Sequence, residues 1–437
     1  MGDFHFCISL TIKSFILYLK EQFNMTLKLD NFTPPNLDAW RIKIKEETKS
    51  EELVDYSNEI EAINIDPTDK SETKDFSNLI KSDNNDWAIG AHIEVVDEEN
   101  ANSYALQCLS KGVNLLYIAV NKKNIEWRRL FKGIHIEYIK IAVKLENNEQ
   151  LLSLEQFLSN TKKENVSIVV DPLNIKSTET LLKTKFKIII NAFHLEQIGA
   201  KATDQLSITL HFTEKILSNI DDPKRIQFDL GIGSDFFIET SKFRALNWLW
   251  RHLLQCNNLL NSEVVILARS GWTNKSIIDP DTNLLRQTTE SISAISGGAN
   301  SLLIHAPHAF SNSNDKWFYK RLGINISHIL KEEAYFTKIN DPLKGAYLIE
   351  KLTEKIITNA WDQFLRYQNE DDNSVINMLV KNIEITRELK LRDFNTGHKE
   401  LIGINVFPIE NNKGYCWSET PRYLGFDYLI YEKLQNE

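Results

Sequence analysis

The chain has 437 residues, 42% of them hydrophobic and 25% charged, with a net charge of −9. That is the make-up of a globular protein able to bury a sizeable core. Its mixed, net acidic charge excludes a basic nucleic-acid-binding face and gives no attraction to an anionic membrane. Cys7, Cys108, Cys256 and Cys416 stand far apart without a C-x-x-C pair. They read as isolated thiols in a reducing compartment, not as a disulfide framework or zinc site.

In chain order, residues 1–24 are rich in apolar side chains from Phe4 to Leu19, but Lys13 interrupts the run and Asp3 precedes it. The run is shorter than the roughly 18 residues a membrane span needs, and no small-residue cleavage site follows. It reads as a non-native extension, with Met25 a candidate start. Cytoplasm is the default location. Residues 25–85 form an amino-terminal arm and linker. A Pro34-Pro35 turn leads into a helix from about Leu37 that carries Trp40, Ile42 and Ile44, and a polar, acidic stretch over 48–85 follows.

From Trp87 a regular pattern begins. Short apolar runs alternate with helical stretches: Ala91–Val96, Leu115–Val120, Ile139–Val143, Val166–Val170, Phe186–Ala192, Ile226–Leu230, Val264–Ala268 and Ser301–Ile304. Continuous β-branched runs are the mark of buried parallel strands, and eight units are the count of a closed (β/α)8 TIM-type barrel. An open doubly wound sheet is the alternative. The barrel is assigned to residues 86–345. Residues 346–437 are a carboxyl-terminal region of amphipathic helices over 346–393. A strand-like run, Leu401 to Phe407, and a helical tail, Tyr423 to Leu434, complete it.

Several constellations invite a chemical role. Gly231-Ile232-Gly233-Ser234-Asp235-Phe236 could cradle a phosphate, but Phe236 stands where the dinucleotide fingerprint has its third glycine, so a tight strand-to-helix turn fits better. His305 and His308 follow the last strand without a third ligand, and no metal site is assigned. Glu332 and Glu333 are adjacent on a helix and diverge by about 100°, which favours a solvated face over acid/base work. Arg269-Ser270-Gly271-Trp272 lacks the G-x-S-x-G of a nucleophile elbow. His194 follows a strand at the end where barrel sites lie. There it could polarise a carbonyl or move a proton, or simply pack.

Four stretches, in this order, resemble the barrel of the methylmalonyl-CoA mutase family. Asn191 to Ala200 is similar to S-G-Y-H-M-Q-E-A-G-A. Ile232 to Glu239, with Lys242, Arg244-Ala245 and Leu249-Trp250, is similar to I-G-x-D-F-F-M-E-x-x-K-x-R-A-x-x-L-L-W. Ser270-Gly271-Trp272, then Asp279-Pro280, Asn283, Arg286, Thr288, Glu290, Gly297 and Ser301-Leu302, looks like S-G-W…D-P-x-x-N-x-x-R-x-T-x-E…G-G-T-Q-S-L. Glu332-Glu333, Asp341-Pro342, Gly345-Ala346-Tyr347 and Glu350 look like E-E-S…D-P-x-x-G-S-Y-Y-x-E. Together they cover residues 87–410.

The resemblance implies an isomerase that interconverts methylmalonyl-CoA and succinyl-CoA through adenosylcobalamin. The barrel would enclose the acyl-CoA, and a separate domain would hold cobalamin by a D-x-H-x-x-G histidine. None of the ten histidines fits that motif (His5 follows Asp3, but Ile8 replaces the glycine), and the chain stops where that domain would begin. The family's P-W-T-I-R-Q-Y-A-G-F aligns with Asp86 to Val95, so its arginine becomes Gly90, its glutamine Ala91 and its tyrosine His92. R-x-H-x-Q-T-S-G-W becomes Val264 to Trp272, with Val264 for the arginine and Ala268 for the glutamine. Asn300 and Ser327 replace two further glutamines, and no counterpart of the carboxylate-binding arginine lies between Asn121 and Ile190. His194 alone matches a substrate-contacting position.

The pattern therefore implies the small, non-catalytic subunit of a heterodimeric mutase of propionate metabolism. It would stabilise a large catalytic subunit that carries the adenosylcobalamin. This chain itself would bind no cofactor, metal, nucleic acid or membrane, and no substrate-binding residue is assigned to it. Two alternatives stand beside that one: the catalytic barrel of a split acyl-CoA mutase with its cobalamin domain in trans, and a stand-alone interaction protein on a mutase barrel.

Overall fold

Eight parallel strands close on themselves in chain order: β1 Ala88–Val95, β2 Leu115–Val120, β3 Lys140–Lys144, β4 Val166–Val170, β5 Lys187–Asn191, β6 Ile226–Ile232, β7 Ile266–Ser270 and β8 Ser301–Leu303. Closure is made by β8, whose Ser301 pairs with Leu267 on one side and Ala88 on the other. The open-sheet alternative is thus set aside. This architecture comes from a computed structural model that describes residues 36–49, 56–65, 85–159, 163–173, 179–220, 222–306, 316–408 and 419–436. Residues 1–24, Met25, Pro34-Pro35, most of the 48–85 linker, Cys7, Cys416 and His308 lie outside the described residues.

Each expected strand is present, and all but Leu115–Val120 and Val166–Val170 have shifted ends. Strand β1 begins three residues early, at Ala88, where Ala88 and Gly90 lack the β-branched signature. Strand β7 runs on through Arg269 and Ser270, two polar residues that a search for apolar runs leaves out. Helices return the chain between strands and begin on side-chain caps. Asp235 accepts the Phe237 and Ile238 N–H groups at 3.0 and 3.1 Å to start Phe236–Cys256. Asp279 caps Pro280–Ser296, which has proline in its first turn. Between sheet and helices lies an aromatic core in which Phe228 of β6 meets Trp250 edge-on at 5.3 Å.

Inside the barrel, Ala88, Leu115, Tyr117, Ala142, Val169, Ile189, Leu267 and Leu303 form one buried cluster. Side chains fill the axis, as in a packed TIM-type core. Beneath this layer is a polar recess of about 150 Å³ lined by Lys140, Ser167, Lys187, Gln227 and Ser301. Above it, at the carboxyl ends of the strands, sit the charged and aromatic groups described below.

The chain divides into two units, residues 1–56 and 57–437. In the first, the expected helix is Leu37–Thr48, started by Asn36, with Trp40 and Ile42 exposed. In the second, the helices Tyr347–Tyr367 and Asp372–Asn395 are present as expected, and the former packs on Phe236–Cys256 and Ala202–Leu217.

Two expectations are corrected. Residues 401–407 are not a strand. Gly403 (φ 80°) turns the chain, Asn405 accepts the Leu401 N–H at 2.7 Å, and Leu401 and Ile404 pack with Phe394, Leu429 and Tyr431. The tail is not one helix. Arg422–Tyr423 pairs with Phe426–Asp427 around Leu424 and Gly425, both at positive φ, and only Tyr431–Asn436 is helical. Two central residues at positive φ are what a tight hairpin requires.

Candidate functional site

At the centre of the barrel mouth lies Arg269, only 4% exposed. Its Nε donates to Asp229 Oδ1 at 2.7 Å and its Nη2 to Asn191 Oδ1 at 3.0 Å. The guanidinium lies 3.8 Å from the centre of the Phe193 ring and 4.6 Å from that of Tyr117. Burial opposes its charge, yet Asp229, Tyr117 and Tyr428 together outweigh that and hold the guanidinium above its usual range. A buried ion pair with a second acceptor and two ring faces is internally satisfied. It occupies the mouth without offering a free charge. The alignment with R-x-H-x-Q-T-S-G-W puts Arg269 where the pattern has threonine. Neither Arg269 nor Asp229 was marked from sequence as a site residue. The available signal was charge inside two otherwise apolar strands.

His194 lies beside this plug, in the short helix Phe193–Gln197 that leaves β5. Its Nδ1 hydrogen-bonds the Tyr428 hydroxyl, and its ring stacks on Tyr423 at 5.2 Å. Tyr423 in turn donates to Asp171 at 2.7 Å. A cavity of about 370 Å³ reaches His194 between β3, β4 and Tyr423. Burial, then the charge of Arg269, depresses the imidazole to about 3, so it is neutral at physiological pH. A neutral imidazole could donate to a carbonyl, but both tyrosines belong to the tail, which closes over it. Their contribution was not legible in the sequence, because the 419–436 segment contacts β4 and β5 only through the fold.

Positions where the chain departs from the family pattern, His92 apart, are taken up in packing or hydrogen bonds. A Cβ on Gly90 would meet Leu303 Cβ at 3.0 Å, the Leu302 carbonyl at 3.1 Å and Leu115 at 3.3 Å, so the space an arginine side chain would need is filled. Ala91 and Ala268 are fully buried, and Val264 is 5% exposed. His92 sits 5.4 Å from both the Tyr117 and His305 rings and is depressed to about 3, by burial and then by Arg269. Ser327 accepts from Trp87 Nε1 at 3.0 Å, and Asn300 Oδ1 accepts the Ile266 N–H at 2.8 Å.

Positions that match the pattern hold the scaffold together. Arg244, fully buried, pairs with Asp341, at the Asp341-Pro342 bend, and with Glu350 at 2.8 Å. Lys242 pairs with Glu239 at 2.6 Å and donates to the Gly231 carbonyl at 2.8 Å. Glu290 takes Lys275 at 2.5 Å and Asn274 at 2.9 Å. Asn283 Oδ1 accepts the Ser276 N–H at 2.9 Å. Beside them Glu196, which stands where the pattern has glutamine, accepts from Thr273 at 3.3 Å, and burial raises its carboxyl to about 7. A Cβ on Gly231 would approach Glu196 Cβ to 2.8 Å, which is why the Gly231–Phe236 turn needs glycine.

The remaining candidates separate. His305 is buried against Trp272 and His92, and among the described residues no three His, Cys, Asp or Glu side chains come together as a metal site would need. Glu332 and Glu333 end a π-helical turn, Ile329–Glu333, and are both exposed. Ser270 Oγ accepts the His305 backbone N–H at 2.9 Å. Among the described cysteines, Cys108 is buried and Cys256 exposed, both free. No described helix is long and apolar enough to cross a membrane.

The sequence profile of the family described as methylmalonyl-CoA mutase matches residues 132–420. The methylmalonyl-CoA mutase small subunit of Porphyromonas gingivalis is 28% identical, across 77% of this chain and 63% of that protein. The methylmalonyl-CoA mutase of Rhizobium meliloti is 31% identical across 40% of this chain and 26% of that protein. The chain thus spans less than two thirds of the length of these relatives. Among solved structures, a dihydropteroate synthase of Coxiella burnetii in complex with pteroic acid overlaps at a TM-score of 0.36 and 15% identity. The overlap covers 57% of this chain and 94% of that one, and is too loose to bear on function.

Proposed function

Because the chain belongs to the methylmalonyl-CoA mutase family, we propose that it is the small, non-catalytic subunit of a heterodimeric mutase. Its partner is a large subunit that binds adenosylcobalamin and interconverts methylmalonyl-CoA and succinyl-CoA. This chain stabilises that subunit, and its amino-terminal arm wraps the partner. One observation carries the proposal: at Gly90 the barrel axis is packed with Leu303 and Leu115, where the family pattern has an arginine. An acyl-CoA carboxylate needs buried cationic donors, each worth roughly 1.5–3 kcal/mol. At the centre of the mouth, the buried Arg269 is already paired with Asp229.

The described histidines do not fit a cobalamin ligand. His305 is buried, His92 lies against the Tyr117 and His305 rings, and His194 and His328 are bonded to Tyr428 and the Lys111 carbonyl. His211 faces Asp372, and His252 lies between Trp248 and Trp361. His135 pairs with Glu137, and His398 bonds Thr396. No step is therefore assigned to cobalamin on this chain. A split catalytic barrel would need the family's arginine and glutamine at Gly90 and Ala91, and both positions are packed.

Affinity purification from the native cell tests the proposal. A long mutase homologue with a D-x-H-x-x-G motif should copurify in equal amount, and the pair should turn over methylmalonyl-CoA with added adenosylcobalamin. The large subunit alone should melt at a lower temperature than the pair. Turnover by this chain alone with adenosylcobalamin would overturn the proposal, as would recovery of a short cobalamin protein in place of the long homologue.

A further inference from the structure

The mouth holds a second cavity, apart from the one at His194. It has a volume of about 470 Å³ and lies between the carboxyl ends of β1 and β8. Phe193 separates the two, its ring 5.6 Å from His194 on one side and 5.7 Å from His305 on the other. The two cavities share no lining residue. None of the pattern's charged positions lies in this second cavity, and its cation is Lys320, from the helix Lys316–His328.

Lys320 is 3% exposed. Its Nζ donates to the Ile304 carbonyl at 3.2 Å, and no carboxylate among the described residues comes within ion-pair distance of it. A buried ammonium with one neutral acceptor lacks the counter-charge that buried cations normally have. Beside it, His305 Nε2 is buried and has no hydrogen-bond partner. Burial keeps that imidazole, like His92, uncharged, so its nitrogen can serve a neutral hydrogen bond but supplies no second charge. Ala101, Tyr104 and Ala306 give the cavity an apolar wall. At its rim stand Glu94 and Asp97, which disfavour a second negative charge on anything bound.

We propose that this cavity is a binding site for a small aliphatic monocarboxylate, whose carboxylate pairs with Lys320 and hydrogen-bonds His305 while its hydrocarbon part lies on the Tyr104 wall. The volume is within the range of small-molecule sites. The site goes beyond the subunit role proposed above and stands or falls separately from it.

Burial lowers the Lys320 amine to about 8. The groups that face it are His92 and Glu94 from β1, Tyr104 and Cys108 from the helix Glu98–Leu109, and His305 after β8. The ammonium is present below that pH and lost above it, so a carboxylate should bind at pH 7 and release as the pH rises. Calorimetric titration of the purified full chain with butyrate tests this, with butyramide as the neutral isostere and inorganic phosphate as the dianion. Butyrate should bind, butyramide should not, and butyrate affinity should fall about tenfold between pH 7 and pH 9. Lys320→Met, checked for an unchanged far-UV spectrum, should lose butyrate at least tenfold. The pH profile of the unaltered chain keeps the test valid even if that variant misfolds. Absence of butyrate binding, equal binding of butyramide or phosphate, or an affinity flat across that pH range would overturn the site.

Discussion

The residues that match the mutase pattern and those that depart from it occupy different parts of this barrel. The matching ones form a shell of buried ion pairs outside the strands: Arg244 with Asp341 and Glu350, Lys242 with Glu239, Lys275 with Glu290. Positions that depart lie on or against the strands, where they are apolar, small or bonded to the backbone: Gly90, Ala91, Ala268, Asn300. The contrast teaches that two kinds of motif residue are interleaved in one sequence pattern. One kind holds helices and turns to the sheet, and a chain that folds on this barrel still needs it. The other lies in the strands: Gly90 faces the axis against Leu303 and Leu115, while Ala91 and Ala268 alternate to the helix side. A buried charge on the shell cannot be removed singly without stranding its partner, whereas an interior charge and its ligand can be lost together.

Breaking the shell should therefore cost most. Arg244→Met leaves Asp341 and Glu350 buried without their cation, and the expected loss is about 3–5 kcal/mol. Urea unfolding of the variant beside the parent checks it. A loss below 1 kcal/mol would mean that these pairs are incidental and that the shell is held by apolar packing alone.

A smaller, pH-dependent effect tests a buried departing position, Glu196, which stands where the pattern has glutamine. Burial raises the Glu196 carboxyl from 4.5 to about 7 in the folded chain. Below about 4.5 both folded and unfolded chains hold the proton and there is no penalty. As pH rises toward 7 the unfolded chain releases it first, so folded stability falls, and above 7 the full penalty, about 3 kcal/mol, remains. Glu196→Gln removes this dependence. Relative to the parent, the variant should gain stability progressively between pH 4.5 and 7 and hold the gain above it, measured as melting temperature against pH. A difference that does not change with pH would show the carboxyl to be solvated.

Gly90→Ala, at a second departing position, probes how tightly the axis is filled. Its Cβ would sit 3.0–3.3 Å from Leu303, the Leu302 carbonyl and Leu115. Overpacking should cost about 1–2 kcal/mol, read as a lower denaturation midpoint. A neutral or stabilising result would show an axis loose enough to admit a ligand, and the proposed absence of chemistry would lose its main support.

Which of these features the sequence displayed follows from their range along the chain. The eight strands were legible because a buried parallel strand writes its burial as a local apolar run, and Leu115–Val120 and Val166–Val170 agree to the residue. Run ends were not, because Ala88 and Arg269 take strand conformation through pairing with Ser301 and Gly231 and not through their own propensity. Residues 401–407 look like a strand by composition, but Gly403 and the Asn405 side chain decide otherwise. At the site, Gly90, Ala91 and His92 could be read as departures by alignment alone. The Arg269–Asp229 plug could not, since its two members are 40 residues apart and meet only when β6 lies beside β7.

His194 is the one position where the comparison fails to sort a residue: it matches a substrate-contacting position, yet it packs. Its Nδ1 is engaged by Tyr428 and its face by Tyr423, both from the tail. If it serves only to seat that tail, His194→Phe keeps the ring stacking and loses one hydrogen bond, worth about 1 kcal/mol. Purified as the proposed complex, the variant should then turn over methylmalonyl-CoA within about twofold of the parent and melt a few degrees lower. A tenfold fall in kcat at unchanged complex stability would correspond to about 1.4 kcal/mol of lost transition-state stabilisation. That outcome would make His194 a catalytic residue, a substrate-contacting position the chain had kept in use.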